Sequence, residues 1–342
     1  MKDILKPVIS VIMAIHNENK QWIKASIDSV LNQSYQNFEF IIINDNPKRV
    51  LNNNILNSYS DDRIIVINNE KNIGLTKSLN KGLKLSCGEF IARMDADDIS
   101  LKYRLENQLE FFLENNDIGV CGSSIELFGE KKTIKKNIKQ YPLSNKEIKT
   151  EFLFSNPVCH PAVMFRRSIF INNGIFYYDE EIKKAQDFDI WFRALKFTKY
   201  INIDKVLLKY RISSNQISAV GKKEQDYTAN KIRKNLIEGL IKSTDYEILL
   251  HNKVCNSNCK FNEKEIRSVE KWFNKLSDKL LDSDSICENH LEERLNFYLQ
   301  KCYLNSFPGI SKLRYFKTNM FLCSKRKIKY SFLFMMKLIR NN

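Results

Sequence analysis

Apolar and polar positions in about the first hundred residues alternate between two kinds of spacing. Continuous apolar runs rich in β-branched residues predict strands buried on both faces, and they occupy residues 7–14, 38–43, 64–67 and 90–94. Between these runs, apolar residues recur every three or four positions, which predicts helices. Strands and helices that alternate in this way predict an α/β fold with an open, doubly wound sheet.

The pattern changes further along the chain. Residues 118–127 and 160–166 have the composition of strands, and residues 187–199 have apolar residues at helical spacing. Beyond about residue 226 the helical spacing continues and the strand signals fade. We therefore expect a mixed second half of the sheet, followed by a helical C-terminal region.

Polar side chains follow three of the four predicted strands, at the point where each strand ends. The three segments are His16-Asn17-Glu18, Asn44-Asp45-Asn46 and Asp95-Ala96-Asp97. In open α/β sheets, ligands bind at the carboxyl ends of the strands. These segments are therefore the candidate binding edge.

Asp95 and Asp97 are candidates for binding a divalent cation. Residues i and i+2 of an extended chain point to the same side, so both carboxylates would face one volume. A hard cation binds oxygen ligands and accepts one or two carboxylates together with substrate phosphates. A surface loop, or an N-cap formed by Asp98 ahead of a helix, is the alternative for such a triplet. The position directly after a buried strand favours the binding site.

Two further aspartates each have a functional and a structural interpretation. Asp45 follows a buried strand, where it would accept hydrogen bonds from a nucleobase N–H or a ribose hydroxyl, or else form only a turn. Asp187 lies at a predicted helix start, where a carboxylate either stabilises the helix dipole or acts as a general base toward a hydroxyl. The residues alone leave both pairs of alternatives open.

The order and spacing of these segments resemble glycosyltransferase family 2, whose catalytic domain has the GT-A fold, a mostly parallel sheet flanked by helices. The resemblance covers about residues 7–215. It is more specific than any single motif because seven segments match in order: residues 8–18, 26–35, 38–45, 72–75, 92–98, 160–164 and 186–191.

This resemblance implies an inverting enzyme that transfers a hexose from a nucleotide sugar, UDP-linked by preference, to an acceptor hydroxyl. The acceptor implied is a surface polysaccharide or a lipid-linked oligosaccharide, and the implied cofactor is Mn²⁺ or Mg²⁺. The roles implied are nucleotide binding for Ala14, His16, Glu18, Asp45 and Asp95, metal binding for Asp97 with Asp95, catalysis as the base for Asp187, and lining of the sugar or acceptor pocket for His160 and Gln186.

The resemblance also implies a division of the chain. Residues 1–220 would form the GT-A catalytic domain, with a nucleotide-sugar half near residues 1–100 and an acceptor half near residues 118–220. Residues 221–342 would form a mainly helical, basic C-terminal region.

The chain departs from the family pattern at a few positions. Ala14 and His16 stand where the family usually has Pro and Tyr, and Gln186 stands where it usually has Glu. Many members carry a histidine where Ser213 lies, so a third protein ligand for the metal is not implied by the motif. His160 is better suited to the pocket than to the metal, and a structural role in the core is its alternative.

The net charge of +15 is concentrated near the end of the chain, where residues 294–342 contain 11 Lys and Arg residues and no Asp or Glu. Cations mixed with apolar residues favour a peripheral contact with an anionic membrane, or equally a solvated cationic face. We expect no nucleic-acid partner, because no nucleic-acid motif accompanies the terminal charge. An inactive nucleotide-sugar-binding module is a further alternative, which Asp187 disfavours.

Membrane-spanning and secreted classes are not indicated by the sequence. No apolar run reaches the length that a bilayer requires, and the N-terminal residues lack a signal-peptide cleavage pattern. The expected location is the cytoplasm. The basic segment favours a peripheral position on the inner face of the cytoplasmic membrane as an alternative.

Overall fold

The computed structural model describes residues 6–129, 137–213, 221–256, 260–280 and 283–306. Two compact units divide the chain: one lies within Met1–Lys242 and Leu280–Leu291, and the other within Ser243–Lys279 and Glu292–Asn342. Residues 307–342, which carry most of the basic segment predicted to contact a membrane, lie outside the described residues. Within the described ranges, no helix combines the length and apolar character needed to cross a membrane.

Four parallel strands form the first half of the sheet, in the spatial order β3-β2-β1-β4. The predicted strands are confirmed, but β3 is an edge strand, and Ile65 and Val66 are exposed rather than buried. An edge strand has a neighbour on one side only, which the apolar run alone does not reveal. The four strands are β1 Ile9–Ile15, β2 Phe38–Asn44, β3 Ile64–Asn68 and β4 Phe90–Asp95.

The second half of the sheet is mixed and continues in the order β4-β8-β6-β9-β5, with β7 paired to β6. Strand β8 pairs antiparallel with both of its neighbours, whereas β6 and β9 run parallel. These strands are β5 Ile99–Ser100, β6 Ile118–Gly129, β7 Ile138–Lys139, β8 Met164–Arg166 and β9 Lys199–Ile212.

Two boundaries in this half differ from the sequence prediction. The strand expected over residues 160–166 is confined to β8, because His160–Ala162 forms a 3₁₀ turn around Pro161. The helix expected over residues 187–199 covers Gln186–Ala194, and Lys199 already begins β9. Strand β9 was not predicted, since charged residues interrupt its apolar pattern.

Helices cover both faces of the sheet and create two hydrophobic cores. Alternate residues of β1 serve the two cores: Val11 and Met13 pack into the first, and Ile12 packs into the second. The first core includes residues of α1 Lys20–Leu31, α2 Val50–Leu56 and α4 Arg104–Glu114. The second includes residues of α3 Leu75–Leu85, α5 Asn145–Glu151, α6 Arg167–Asn172, α7 Gln186–Ala194 and α8 Lys222–Leu240.

The C-terminal part is helical, as the sequence predicts. It contains α9 Asp245–Cys255, α10 Glu263–Leu280 and α11 Glu288–Ser306, and the described residues after 221 contain no strand. Thr244 begins α9 with a capping box, in which its side chain and that of Glu247 each accept a backbone N–H at the helix start.

Candidate functional site

The carboxyl ends of β1, β2 and β4 meet at one edge of the sheet. The strands are parallel, and their register places Ile15 beside Asn44 and Ala14 beside Asp95. The polar segments that follow these strands therefore converge, as the sequence predicts. From the other side, the Ser26 hydroxyl of α1 donates a hydrogen bond to the Asp95 carbonyl oxygen at 2.8 Å.

Three carboxylates gather where β4 ends. One oxygen each of Asp95, Asp97 and Asp98 lies within 4.8 Å of the others. The sequence predicted the first two, and the tight turn between β4 and β5 adds the third. Asp95 is about a third exposed, whereas Asp98 is buried.

Asp98 does not cap a helix, which was its alternative interpretation. Helix α4 begins at Arg104 after Tyr103, and the Oδ1 atom of Asp98 accepts the backbone N–H of Arg211 in β9 at 2.8 Å. The Arg211 side chain also reaches the turn, donating to the Asp97 carbonyl oxygen at 2.7 Å. The guanidinium group lies between the rings of Trp22 and Phe128, which hold it against the turn.

Burial and mutual repulsion disfavour the ionised forms of Asp97 and Asp98 in the cluster. Burial, together with the charges of Asp95 and Glu18, raises the pKa of Asp97 to about 7. Burial, with the charges of Asp95 and Asp97, also raises the pKa of Asp98 well above its usual value. The buried guanidinium of Arg93 in β4 forms an ion pair with Asp95. Closely spaced carboxylate oxygens are the donor set that Mg²⁺ or Mn²⁺ prefers, and a bound cation would relieve the repulsion among them, so the residues fit such an ion.

The loop after β1 borders the cluster. The Glu18 carboxylate accepts the backbone N–H of His16 at 2.8 Å, and the His16 ring shares a hydrogen bond with Asn72 at 2.8 Å. The influence of Glu18 on the pKa of Asp97 places both side chains in one electrostatic environment. Ala14 is thus paired with Asp95 in the sheet, Glu18 acts on Asp97, and His16 is joined to Glu18.

Asp45 organises the loop that leads into α3. Its Oδ1 atom accepts the backbone N–H of Ile73 and the side-chain amide of Asn69, both at 2.8 Å, and its Oδ2 atom accepts the N–H of Gly74 at 2.9 Å. Gly74 has a φ of +87°, a conformation that glycine adopts without steric cost. Asp45 thus does more than form a turn after β2, because it joins two loops at the edge.

Replacing Asp45 by Ala is expected to lower the free energy of unfolding by about 3 kcal/mol, because two backbone N–H groups would lose their buried acceptor. Urea denaturation of both proteins measures this change. Asp62→Ala, at an exposed position after α2, is the matched control and should change the free energy by less than about 0.5 kcal/mol. Equal midpoints for the two variants would contradict the proposed anchoring.

Asp187 lies in the first turn of α7. The residue before the helix, Ala185, has a φ of +60°, and it is the only non-glycine residue with positive φ in the part of the chain that the structure describes. The Oδ2 atom of Asp187 accepts a hydrogen bond from Asn156 Nδ2 at 2.8 Å. Burial raises the pKa of Asp187, while backbone N–H groups and the charge of Arg93 oppose the rise and the charge of Asp95 adds to it.

The influence of Arg93 and Asp95 on Asp187 connects this aspartate to the carboxylate cluster. Tyr178 supports the same conclusion, because its pKa, raised mainly by burial, responds to both Asp187 and Asp95. These electrostatic influences indicate that Asp187 lies near Arg93 and Asp95. Gln186, at the first position of α7, is buried beside Asp187.

His160 is buried and contacts two residues of the second core. Its Nε2 atom shares a 2.8 Å hydrogen bond with the Tyr178 hydroxyl, and its ring meets the Trp191 ring edge to face. Burial, with the charge of Arg93, holds the pKa of His160 well below its usual value, so the ring is neutral at pH 7. It is not part of the group formed by Asp95, Asp97 and Asp98.

Sequence reasoning missed several residues that shape the site. Arg93 had one signal, a cation inside an otherwise apolar strand, which in a buried setting needs an acidic partner. Asn156 and Arg211 had none, because their contacts join segments far apart in the chain: 31 residues separate Asn156 from Asp187, and 113 separate Asp98 from Arg211.

Comparison with known proteins agrees with the sequence resemblance. Residues 10–174 match the sequence model of glycosyl transferase family 2. An uncharacterized glycosyltransferase of Methanocaldococcus jannaschii is 38% identical over 224 residues, which cover 64% of this chain and 76% of that protein. The O-antigen biosynthesis glycosyltransferase WbnJ of Escherichia coli is 36% identical over 225 residues, which cover 62% and 84% of the two chains.

A solved structure shows the same fold. The structure of residues 1–349 of S. aureus TarS in complex with UDP-GlcNAc matches with a TM-score of 0.55 and 20% identity, over 87% of this chain and 88% of that one. This likeness confirms the GT-A fold, with a central sheet flanked by helices, that the resemblance implied. The family model and the sequence relatives lead to one assignment: the chain belongs to glycosyltransferase family 2 and is a glycosyltransferase.

Proposed function

We propose that this glycosyltransferase moves a hexose from a UDP-linked donor to a hydroxyl of a saccharide or lipid-linked saccharide, with inversion at the anomeric carbon. The observation that carries the proposal is the grouping of three carboxylates at the sheet edge, with Asp187 in the same electrostatic environment. UDP-GlcNAc is the ligand named for the TarS structure, and O-antigen biosynthesis is the process named for WbnJ. Both support the proposed substrate classes.

The donor would bind along the edge formed by β1, β2 and β4. Ala14, His16 and Glu18 would line the nucleoside pocket from one side and Asp45 from the other. Asp95 would contact the ribose or the phosphates, and Asp97 with Asp95 would hold Mn²⁺ or Mg²⁺. When bound, the metal ion neutralises the charge that develops on the departing diphosphate.

Asp187 would act from the other side of the sugar. Its carboxylate would take the proton of the acceptor hydroxyl while that oxygen forms a bond to the anomeric carbon. The bond between this carbon and the diphosphate oxygen breaks, and its electron pair leaves with the nucleoside diphosphate. The half-buried position limits competing water, and a carboxylate whose pKa burial raises is a stronger base than an exposed one. His160 and Gln186 would line the pocket for the sugar or the acceptor.

A donor panel tests the proposal. Purified protein is incubated with UDP-, GDP- and dTDP-linked hexoses and N-acetylhexosamines, each with MnCl₂, MgCl₂ or EDTA, and release of the nucleoside diphosphate is measured. We expect turnover of a UDP-linked sugar with a divalent cation and none with EDTA. Turnover of only GDP- or dTDP-linked sugars would reject the proposed donor, and undiminished turnover with EDTA would reject the metal.

We also infer a peripheral contact between residues 294–342 and anionic membrane, based on their 11 cations and absence of acidic residues. Each cation near an anionic surface contributes about 1 kcal/mol, and salt screens the attraction. The full chain is expected to sediment with phosphatidylglycerol vesicles at 50 mM NaCl and to be released at 500 mM. A chain ending at residue 306 should stay in solution at both concentrations. Equal sedimentation of both chains would reject the contact.

A further inference from the structure

The side chain of Asn156 contacts the proposed base directly. It lies in the loop between α5 and the 3₁₀ turn, and its Nδ2 atom donates a hydrogen bond to Asp187 Oδ2 at 2.8 Å. The role of this contact rests on the proposed function, because it depends on Asp187 acting as the base. An amide donor stabilises the charged form of the carboxylate that it contacts.

The orientation of the Asn156 amide follows from its other contact. Its Oδ1 atom accepts the backbone N–H of Val158 at 3.4 Å, so the amide nitrogen must face the carboxylate. The buried side chain of Asn202, in β9, donates to the carbonyl oxygen of Pro157 at 3.0 Å and holds the loop from behind. The donor is therefore already oriented before any substrate binds.

The residues before Asn156 are also held in place. The Ser155 backbone N–H donates to the carbonyl oxygen of Glu151 at the end of α5, at 2.8 Å. The buried Arg233 of α8 donates to the Phe154 carbonyl oxygen at 3.2 Å. Helices α5 and α8 and strand β9 thus hold both sides of the loop, which leaves Asn156 little freedom to turn away from Asp187.

We propose that Asn156 is a positioning residue for sugar transfer: it holds one carboxylate oxygen of Asp187, turns the other toward the acceptor hydroxyl, and keeps the base ionised. In this arrangement the acceptor hydroxyl is the nucleophile, Asp187 is the base, and Asn156 is the third group, which orients the base. Asn156 is neutral, so it provides this hydrogen bond without a positive charge that would weaken the base.

The charged and titratable groups around Asp187 make such a donor important. Arg93, in β4, favours the ionised carboxylate, whereas Asp95 in the same strand opposes it. The hydroxyls of Tyr141 and Tyr178 also respond to the charge of Asp187, and burial raises the pKa of both, so they remain neutral at pH 7. Losing the Asn156 hydrogen bond would leave burial and Asp95 less opposed, and the pKa of Asp187 would rise.

The first experiment needs no substrate. Carboxyl groups of the metal-free full chain are labelled with ¹³C-aspartate and titrated by NMR, and the Asp187 signal is assigned from its absence in Asp187→Asn. In Asn156→Ala the midpoint of Asp187 is expected to rise by about one pH unit or more, the change that loss of a hydrogen bond to a charged group produces. An unchanged midpoint would overturn the inference.

Kinetics with UDP-glucose, UDP-galactose and their N-acetyl forms give the second measurement. In Asn156→Ala the acid limb of the pH profile of kcat should shift upward by the same amount, with kcat at pH 7 about tenfold lower and KM for the donor within twofold. Asn156→Asp keeps the shape and the Val158 contact but places two carboxylates together, so its kcat should fall by about a hundredfold. A profile that superimposes on that of the unmodified chain in both variants would overturn the inference.

Asn115→Ala is the matched control. Asn115 is also half-buried and donates one side-chain hydrogen bond, to the Phe111 carbonyl oxygen at the end of α4 at 2.9 Å. We expect this variant to leave both the Asp187 titration and the pH profile unchanged. Failure of the proposed function is distinguishable from failure of this inference. Near-normal transfer by Asp187→Asn would reject Asp187 as the base. Loss of transfer in Asp187→Asn, together with an unchanged Asp187 titration in Asn156→Ala, would reject only the positioning role of Asn156.

Discussion

Replacing Asp187 by Asn is expected to lower the rate of sugar transfer by about 10²–10⁴-fold, the contribution that a positioned general base makes. The amide has nearly the same size as the carboxylate but cannot take a proton. Donor binding should persist, because Asp187 lies in α7 and not at the edge formed by β1, β2 and β4. The measurements are single-turnover transfer at pH 7.5 and UDP binding by calorimetry.

Asp189→Asn is the matched control for this substitution. Asp189 lies in the same helix two residues further along, and its carboxylate pairs with Arg193 at 2.8 Å. The control should keep transfer within about threefold of the unmodified chain. If Asp187→Asn also transferred sugar at a near-normal rate, the acceptor would need another base and the proposed role would be wrong.

Asp97→Asn is expected to abolish metal-dependent donor turnover, with a loss of about a thousandfold. The magnitude follows because the metal contributes several kcal/mol of charge stabilisation and each 1.36 kcal/mol corresponds to a factor of ten. Mn²⁺ binding, followed by electron paramagnetic resonance in the absence of donor, should weaken in parallel. Asp117→Asn, at an exposed position before β6, is the control and should bind Mn²⁺ normally.

Asp97→Asn should also make the metal-free chain more stable. The pKa of Asp97 is raised from 3.8 to about 7, so above its unfolded-state pKa the ionised carboxylate destabilises the folded chain. This destabilisation grows as the pH rises from about 4 to about 7 and is constant above pH 7. Asn at this position removes it. We expect a gain of about 1–3 kcal/mol in the free energy of unfolding at pH 8, after allowance for solvent screening. A loss of both Mn²⁺ binding and stability would instead indicate a damaged fold.

The sequence predicted the part of the fold in which each strand has a uniform environment. Strands β1, β2 and β4 are buried on both faces, so their apolar runs are continuous and easily recognised. Strand β9 is also part of the central sheet, yet it contains Asp204, Lys205 and Lys209 because part of its length is open to solvent. For the same reason, the helix predicted over residues 187–199 extended too far, up to the residue at which β9 begins.

The candidate site was predictable where a motif follows a buried strand, as for Asp95 and Asp97. Contacts between distant segments were not, because nothing in local spacing shows that the Arg211 backbone meets Asp98 or that Asn156 meets Asp187. The structural alternatives, a turn for Asp45 and a helix N-cap for Asp98, show a related difficulty. A carboxylate that bonds backbone amides and one that faces a ligand have the same local sequence.

The two hydrophobic cores give the groups at the candidate site separate supports. Ser26 holds the Asp95 carbonyl oxygen from α1, which packs in the first core, whereas Asp187 belongs to α7, whose Phe188 and Trp191 pack in the second. Substitutions that repack the second core are thus expected to move Asp187, the proposed base, while the carboxylate cluster stays in place. Under the proposed function, packing changes in the second core are therefore expected to alter the acceptor side of the site before the donor side.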